Sequence, residues 1–171
     1  MFYPFFVDVE YESHDSEKWT PFIPVKSVTL AYEVALGEFN QTTFSIGEEY
    51  SNDKEMWSAI GEWIDCFCKN GAVVPVGFDL RNKVWPTLIA NLIKHRSATP
   101  RLVQPLEKKW NNLDMVDLKT VIMQGGFTQS EFTLCDAYRF MIGQSLSDKD
   151  MENISNVKMI YELYSLYREA M

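Results

Sequence analysis

The sequence predicts an α/β fold in which helices cover a mixed sheet. Three segments rich in β-branched and aromatic residues open the chain, and apolar residues then recur at helical spacing. After that helix, residues 72–78 form an almost wholly apolar run that begins after one glycine and contains another. Such a run is typical of a parallel strand that is buried on both faces. Strands followed by a helix, a buried strand and more helices indicate a layered α/β domain.

The antiparallel part of the sheet is predicted from the first three apolar segments. Residues 5–11 form the opening strand, and a polar, proline-containing loop follows it. Residues 25–36 and 39–46, separated by Gly37, are rich in valine, threonine, tyrosine and phenylalanine. Two such segments around a short turn predict an antiparallel hairpin.

Two helices flank the buried strand in the middle of the chain. Residues 53–69 are predicted to form the first, because their apolar side chains recur at helical spacing before an Asn-Gly stop. Pro75 is unfavourable inside the buried strand, since proline lacks the amide that pairs strands. The second helix is predicted at about 86–94, where Pro86 suits the first turn.

The last third is predicted to be a loop followed by helices. Residues 97–109 contain two prolines and are expected to form a loop. Residues 113–118 lead into a third helix that ends at the glycine pair 125–126. Residues 134–142 are predicted to form a short helix capped by Thr133.

A single long helix is predicted to close the chain. Ser147 and Asp150 resemble a capping box that opens it, and it runs to about Glu169. Its apolar and aromatic side chains lie on one stripe: Ile154, Val157, Tyr161, Tyr164 and Tyr167. We interpret this stripe as a core face rather than a platform for stacking bases.

The composition indicates one globular domain across residues 1–171, with 46% hydrophobic residues. A net charge of −8 argues against a protein that coats duplex nucleic acid by bulk attraction. The N-terminus lacks a basic segment, and no stretch of about 18 apolar residues is present to cross a membrane. The three cysteines form no C-x-x-C pair. We therefore expect a soluble, cytoplasmic protein without a membrane partner.

The middle of the chain is basic although the whole chain is acidic. Glu107 is the only acid between Leu80 and Leu113. Four basic residues are candidates for holding a nucleic-acid backbone: Arg81, Lys83, Lys94 and Arg96. This asymmetry would suit an acidic metal centre beside a basic side, although scattered surface charge is the alternative interpretation.

The candidate metal ligands stand in the opening strand. Asp8 and Glu10 are two residues apart, so both side chains point to the same face of a strand. Their mutual repulsion is relieved by a divalent cation, and carboxylates are ligands that Mg²⁺ and Mn²⁺ prefer. The alternative is an ordinary strand whose alternate residues face water. His14 and His95 are isolated, which makes a serine or cysteine hydrolase improbable.

The order of four segments resembles the 3′–5′ exonuclease domain of the DEDD superfamily, in the variety similar to the proofreading domain of family B DNA polymerases. The segments are D-x-E at Asp8, V-G-F and W-P-x-L from Val76, L-D-M-V-D-L from Leu113, and N-V-x-x-I-Y-E-L-Y from Asn156. The resemblance implies a ribonuclease-H-like fold and two divalent ions, Mg²⁺ or Mn²⁺, held by four acids. It also implies hydrolysis of single-stranded nucleic acid, with DNA favoured over RNA.

The resemblance carries over residue by residue, with departures. Asp8 and Glu10 match the first motif. Asp79 stands where the family usually has asparagine, and the later aspartate of that motif would fall on Lys83 or Val84. Asp79 could take the role of this later aspartate if the loop turns its side chain toward the metal site. The alternative for Asp79 is a cap on the following turn.

The last motif also departs from the family, because Asn156 occupies the place of its aspartate. An asparagine can still bind a cation through its amide oxygen. Glu152 is predicted to lie one helical turn earlier on the same face, where it could supply the missing ligand or a base. Asp114 and Asp117 match the third motif, and a helix cap is the preferred interpretation of Asp117.

Two functional hypotheses follow. The first is a metal-dependent 3′–5′ exonuclease that acts on single-stranded DNA by a two-metal mechanism. The second is a catalytically degenerate exonuclease fold, retained as a binding module with a protein or nucleic-acid partner. An unrelated acidic α/β adaptor is a third alternative, in which Asp8, Glu10 and Asp79 would not converge.

Overall fold

The computed structural model describes residues 2–12, 20–35, 38–69, 72–97, 115–125, 132–143 and 145–170. In these residues a five-stranded mixed sheet is flanked by helices. The predicted α/β class is confirmed, with the antiparallel strands first and a buried parallel strand after them. The arrangement is consistent with a ribonuclease-H-like fold.

The strands lie in the order β3-β2-β1-β4-β5. Strand β1 (Phe2–Tyr11) pairs antiparallel with β2 (Val25–Ala35), which pairs antiparallel with β3 (Glu38–Ser45). Strand β4 (Ala72–Gly77) runs parallel to β1, and the short strand β5 (Val116–Asp117) runs parallel to β4. The first segment of the chain is therefore the centre of the sheet.

Helices pack on both faces of the sheet. One face is covered by α1 (Asp53–Lys69) and α2 (Trp85–Lys94). The other face is covered by α3 (Leu118–Gln124), α4 (Leu134–Met141), α5 (Asp148–Glu152) and α6 (Asn156–Ala170). None of the helices in the described ranges has both the length and the apolar character needed to cross a bilayer.

Alternation along β1 divides its side chains between two cores. Phe5 and Val7 are buried in the core shared with α1 and α2, whereas Phe6 is buried in the core under α6. Because successive side chains point to opposite faces, Asp8 and Glu10 continue the face of Phe6. This face changes from apolar to polar just before β1 ends, which places both carboxylates at the carboxyl end of the strand.

Strand β4 tolerates Pro75 because of where its pairing begins. Pro75 pairs with Phe5 of β1, and the described pairing with β5 starts only at Val76. After the strand, Asp79 adopts a left-handed conformation with φ 53°, and a π-helical turn (Leu80–Val84) leads into α2. Asp is among the residues that enter this region of φ most readily.

The prediction of one long final helix is wrong. Helix α5 ends at Glu152 and α6 begins at Asn156. The new start has a cap of its own, because the Ser155 Oγ accepts a hydrogen bond from the Lys158 amide at 3.3 Å. Glu152 and Asn156 therefore do not share a helix face. The cap predicted at Thr133 and the capping box predicted at Ser147 are both present, and Thr133 also forms a full capping box with Asp136.

Helix α6 is fixed across the sheet by aromatic contacts. The Phe6 ring lies 5.3 Å from the Tyr161 ring and 5.6 Å from the Tyr164 ring, both edge to face. Tyr161 also lies 5.3 Å from Phe39 of β3, and its hydroxyl donates to Glu33 of β2 at 3.1 Å. The stripe on this helix is thus a core face, as predicted, and it sets the position of the helix N-terminus.

Candidate metal centre

The carboxylate of Asp8 and the amide of Asn156 meet although they are 148 residues apart in the chain. The Asn156 Nδ2 donates a hydrogen bond to the Asp8 Oδ2 at 3.0 Å. Strand β1 delivers Asp8 at its carboxyl end, and Asn156 is the first residue of α6. A half-turn of the Asn156 amide exchanges its nitrogen and oxygen, so the same position can offer an oxygen ligand.

The environment of Asp8 makes its negative charge unfavourable. Protein atoms surround the carboxylate closely although part of its surface stays exposed, and this burial raises the pKa of Asp8. The hydrogen bond from Asn156 lowers the pKa, and the neighbouring Glu10 charge raises it further. A bound cation would offset both the cost of burying the Asp8 charge and its repulsion with Glu10.

Glu10 is held by donors from strand β2. The Lys26 Nζ lies 2.8 Å from the Glu10 Oε1, and the Ser27 Oγ donates to the Glu10 Oε2 at 3.1 Å. Ser27 is the residue that pairs with Glu10 across the two strands. The carboxylate of Glu10, next to Asp8 on the same strand face, is therefore paired with the positive charge of Lys26.

The side chains at this end of the sheet are of the kinds that bind a divalent cation. Asp8 and Glu10 carry carboxylate oxygens, and Asn156 would present an amide oxygen after a half-turn of its amide. Within the part of the chain that the structure describes, no three or more aspartate, glutamate, histidine or cysteine side chains are grouped to hold a metal. The four-carboxylate set that the resemblance implies is therefore not assembled by these residues.

Asp79 belongs to a separate cluster of charges. Its Oδ2 lies 3.2 Å from the Lys119 Nζ and 3.6 Å from the Lys83 Nζ, and its Oδ1 accepts from the Asn82 Nδ2 at 3.3 Å. The side chain makes no capping hydrogen bond to the turn that follows, so the alternative of a cap is wrong. Two ammonium groups balance this carboxylate.

Asp117 is a buried helix cap, as predicted. Its Oδ1 accepts from the Lys119 amide at 3.1 Å, which caps α3, and its Oδ2 accepts from the Arg81 amide at 2.9 Å. Burial raises the pKa of Asp117, and the charge of Asp79 raises it further, while the Arg81 amide lowers it. Asp117 thus ties the start of α3 to the turn after β4.

Sequence reasoning missed Lys119 as a partner of the predicted ligand Asp79. The two residues are 40 positions apart, and the ammonium also lies 5.9 Å from the rings of Phe78 and Phe132. A contact between distant segments leaves no periodic or spacing signal. The motif around Asp117 was the only indication that this segment approaches β4.

None of the remaining candidates that the structure describes makes a hydrogen bond or ion pair with Asp8. Glu152 is exposed at the end of α5, and Asp114 lies outside the described residues. Arg81 and Lys83 stand in the turn after β4, which is parallel to β1, so they share the end of the sheet that carries Asp8. The other two basic candidates lie at the end of α2, which covers the opposite face: Lys94 is its last residue, and Arg96 lies two residues beyond it.

No protein-family model matches the sequence, and no curated protein matches it either. A functional proposal therefore rests on the motif resemblance and on the contacts among the residues of this chain.

Proposed function

We propose that this protein is a divalent-cation-dependent 3′–5′ exonuclease that hydrolyses phosphodiester bonds at the end of single-stranded DNA. The observation that carries this proposal is the hydrogen bond between Asp8 and Asn156. It joins the first and last motifs of the exonuclease resemblance at one end of the sheet. Glu10, on the same face of β1, completes a set of three oxygen-bearing side chains.

The chain supplies binding and positioning at this end of the sheet. Asp8, Glu10 and Asn156 would hold the cation. A Mg²⁺ or Mn²⁺ ion held there would polarise a substrate phosphate and lower the pKa of a bound water. The N-terminus of α6 favours the negative charge of a phosphate. Of the four basic candidates from the sequence, Arg81 and Lys83 are better placed to attract the strand than Lys94 and Arg96, because they follow the parallel neighbour of β1.

The cytoplasm is the compartment we propose for this activity. The three cysteines form no C-x-x-C pair, and free thiols are the usual state of cysteine in a reducing compartment.

A catalytically degenerate binding module is the second candidate. It is favoured by the balance of charge at the acids: Lys119 and Lys83 lie on Asp79, and Lys26 lies on Glu10. Carboxylates already neutralised by lysine have less need of a metal ion. Such a module would bind a nucleic-acid strand or a protein partner without hydrolysing it.

The test is a strand-shortening assay with the purified wild-type chain. One single-stranded DNA is labelled at its 5′ end, so that shortening from the 3′ end gives a ladder of labelled products. We expect a ladder that requires Mg²⁺ or Mn²⁺ and disappears with a chelator. A DNA duplex and an RNA strand of the same sequence test the preference for single-stranded DNA. An intact strand at every cation concentration, with the strand still bound, would support the binding module and contradict the exonuclease.

Restoring the acid at position 156 should strengthen cation binding. An Asn156→Asp variant adds a carboxylate next to Asp8, and we expect it to bind Mn²⁺ about 10- to 100-fold more tightly, since charged ligands set the affinity of such sites. Without a cation the same variant should melt at a lower temperature, because two carboxylates would stand where a hydrogen bond now lies.

Titration calorimetry and thermal melting, each with and without Mn²⁺, check this prediction. Asn153→Asp is the matched control, since Asn153 is exposed just beyond α5 and bonds the Lys149 carbonyl. Equal effects of the two substitutions on Mn²⁺ affinity would show that only bulk charge had changed.

A further inference from the structure

Lys26 forms an ion pair with Glu10, whose carboxylate is a ligand of the proposed cation. Its Nζ lies 2.8 Å from the Glu10 Oε1, and Ser27 holds the other oxygen. The Lys26 side chain is 62% exposed and that of Glu10 is 49% exposed. An ion pair this exposed is weak, so the lysine can leave without disturbing the fold.

Two carboxylates attract the Lys26 ammonium. Glu10 binds it directly at 2.8 Å, and the negative charge of Glu48 also acts on it. Glu48 itself accepts a hydrogen bond from the Ser45 hydroxyl of β3 at 3.3 Å. An ammonium displaced from Glu10 would therefore still be attracted toward this end of the sheet by a second carboxylate.

The sheet surface next to Lys26 is polar and accessible. Asp8 pairs with Thr29, which pairs with Thr43, and the two threonine hydroxyls lie 3.0 Å apart. Thr43 is exposed, and Thr29 is partly exposed. Glu10 and Ser27 form the next row toward the strand end. The two threonine hydroxyls and the Lys26 ammonium are donors of the kinds that bind phosphate oxygens.

We propose that Lys26 is an exchangeable internal cation, which neutralises Glu10 in the metal-free site, yields to a divalent cation, and then binds a phosphate of the nucleic-acid strand. This inference rests on the cation site of the proposed function, but it does not require hydrolysis. A divalent cation and an ammonium repel each other, so both cannot sit at the same oxygen of Glu10. A phosphate of the strand then replaces Glu10 as the negatively charged partner of the ammonium.

The exchange predicts opposite effects of one substitution on two ligands. Replacing Lys26 with methionine removes the competitor for Glu10, so Mn²⁺ should bind about 3- to 5-fold more tightly, the range that an exposed ion pair allows. The same variant should bind single-stranded DNA about 3-fold more weakly in the presence of the cation, because one phosphate contact is lost. A lysine that served only surface charge would weaken DNA binding without changing Mn²⁺ affinity in this direction.

The experiment uses the full chain and two measurements. Calorimetry gives the Mn²⁺ affinity, and fluorescence anisotropy gives the affinity for a labelled single strand, with Ca²⁺ replacing Mn²⁺ to keep the strand intact. Lys54→Met is the matched control, because Lys54 is exposed on α1, which covers the opposite face of the sheet from Glu10. We expect Lys26→Met to tighten Mn²⁺ and weaken the strand, and Lys54→Met to leave Mn²⁺ affinity unchanged.

The outcomes separate this inference from the exonuclease proposal. Tighter Mn²⁺ binding and weaker strand binding by Lys26→Met, without shortening of any strand, would support the exchange while contradicting the exonuclease. Strand shortening by the wild type with equal Mn²⁺ affinity in both lysine variants would overturn the exchange and leave the exonuclease standing. Unchanged strand binding by Lys26→Met would also overturn the exchange, because the phosphate contact would be absent.

Discussion

An Asp8→Asn variant is expected to lose strand-shortening activity by on the order of 1000-fold, because the site loses its most buried negative charge. Asparagine has nearly the same shape as aspartate, and its amide oxygen can still accept the hydrogen bond from Asn156. The loss would therefore come from the missing charge on the cation ligand and not from a displaced helix. Initial rates of 3′-end shortening at saturating Mn²⁺ measure the effect.

The same variant should be more stable than the wild type at neutral pH when no cation is present. Burial raises the pKa of Asp8 in the folded chain above its ordinary value of 3.8. A carboxyl group with a raised folded pKa favours folding at acid pH, and its contribution becomes unfavourable as pH rises through the raised value. An uncharged asparagine removes that unfavourable contribution at pH 7, so the melting temperature in chelator should rise.

Asp65→Asn is the control for this pair of measurements. Asp65 is paired with Lys69 on α1 at 2.5 Å, away from the proposed site, so its loss should leave the activity unchanged. If Asp8→Asn kept activity within a few-fold of the wild type, Asp8 would not be a ligand. If it lowered the melting temperature in chelator, the buried charge would not be unfavourable as we infer.

The second large effect concerns Phe6, which fixes α6 to the central strand. Phe6 is fully buried between the rings of Tyr161 and Tyr164, and we expect Phe6→Ala to lower the free energy of unfolding by about 3–5 kcal/mol. The cost combines the lost apolar burial with the cavity that remains. Urea unfolding followed by tryptophan fluorescence measures it.

Phe5→Ala separates stability from the positioning of the site. Phe5 is equally buried, but it packs against Trp63, Phe67 and Trp85 on the opposite face. Both variants should be destabilised, whereas faster amide exchange in the first turns of α6 is expected only for Phe6→Ala. Phe6→Leu and Phe5→Leu give the same comparison if the alanine variants do not fold. Equal exchange in α6 for the two positions would show that Phe6 does not hold this helix in place.

Local signals predicted most of the sheet and the first helices. The alternation along residues 5–11 located the central strand, and the apolar run at 72–78 located its parallel neighbour. Helix α1 has the predicted bounds because a clear apolar stripe is followed by an Asn-Gly stop. In these segments the local hydrophobic pattern indicates one type of secondary structure, and tertiary contacts do not change it.

The break before α6 was not predictable from periodicity. Ile154 continues the apolar stripe across the break, and Ser155 resembles an ordinary polar residue inside a helix. Only the hydrogen bond from the Lys158 amide to the Ser155 hydroxyl identifies this serine as a cap. The interpretation of Glu152 as a neighbour of Asn156 depended on an unbroken helix and was wrong for that reason.

The candidate site was only partly predictable, because local strand geometry sets one part of it and tertiary contacts set the rest. The side-by-side placement of Asp8 and Glu10 follows from strand geometry alone. The proximity of Asp8 to Asn156 was implied only by the resemblance of the motif order to the exonuclease family, since no periodicity relates residues 148 positions apart. The lysines on Asp79 and Glu10 are tertiary contacts of flexible side chains, and the sequence carries no local signal for such contacts.

The most direct test of the central claim is a crystal structure of the wild-type chain soaked in Mn²⁺, with the ion located by its anomalous scattering. We predict one Mn²⁺ bonded to carboxylate oxygens of Asp8 and Glu10 and to the turned amide oxygen of Asn156, with Lys26 moved away from Glu10. A soaked crystal in which the Asn156 Nδ2 still donates to the Asp8 Oδ2, and in which no Mn²⁺ lies beside Asp8, would contradict it.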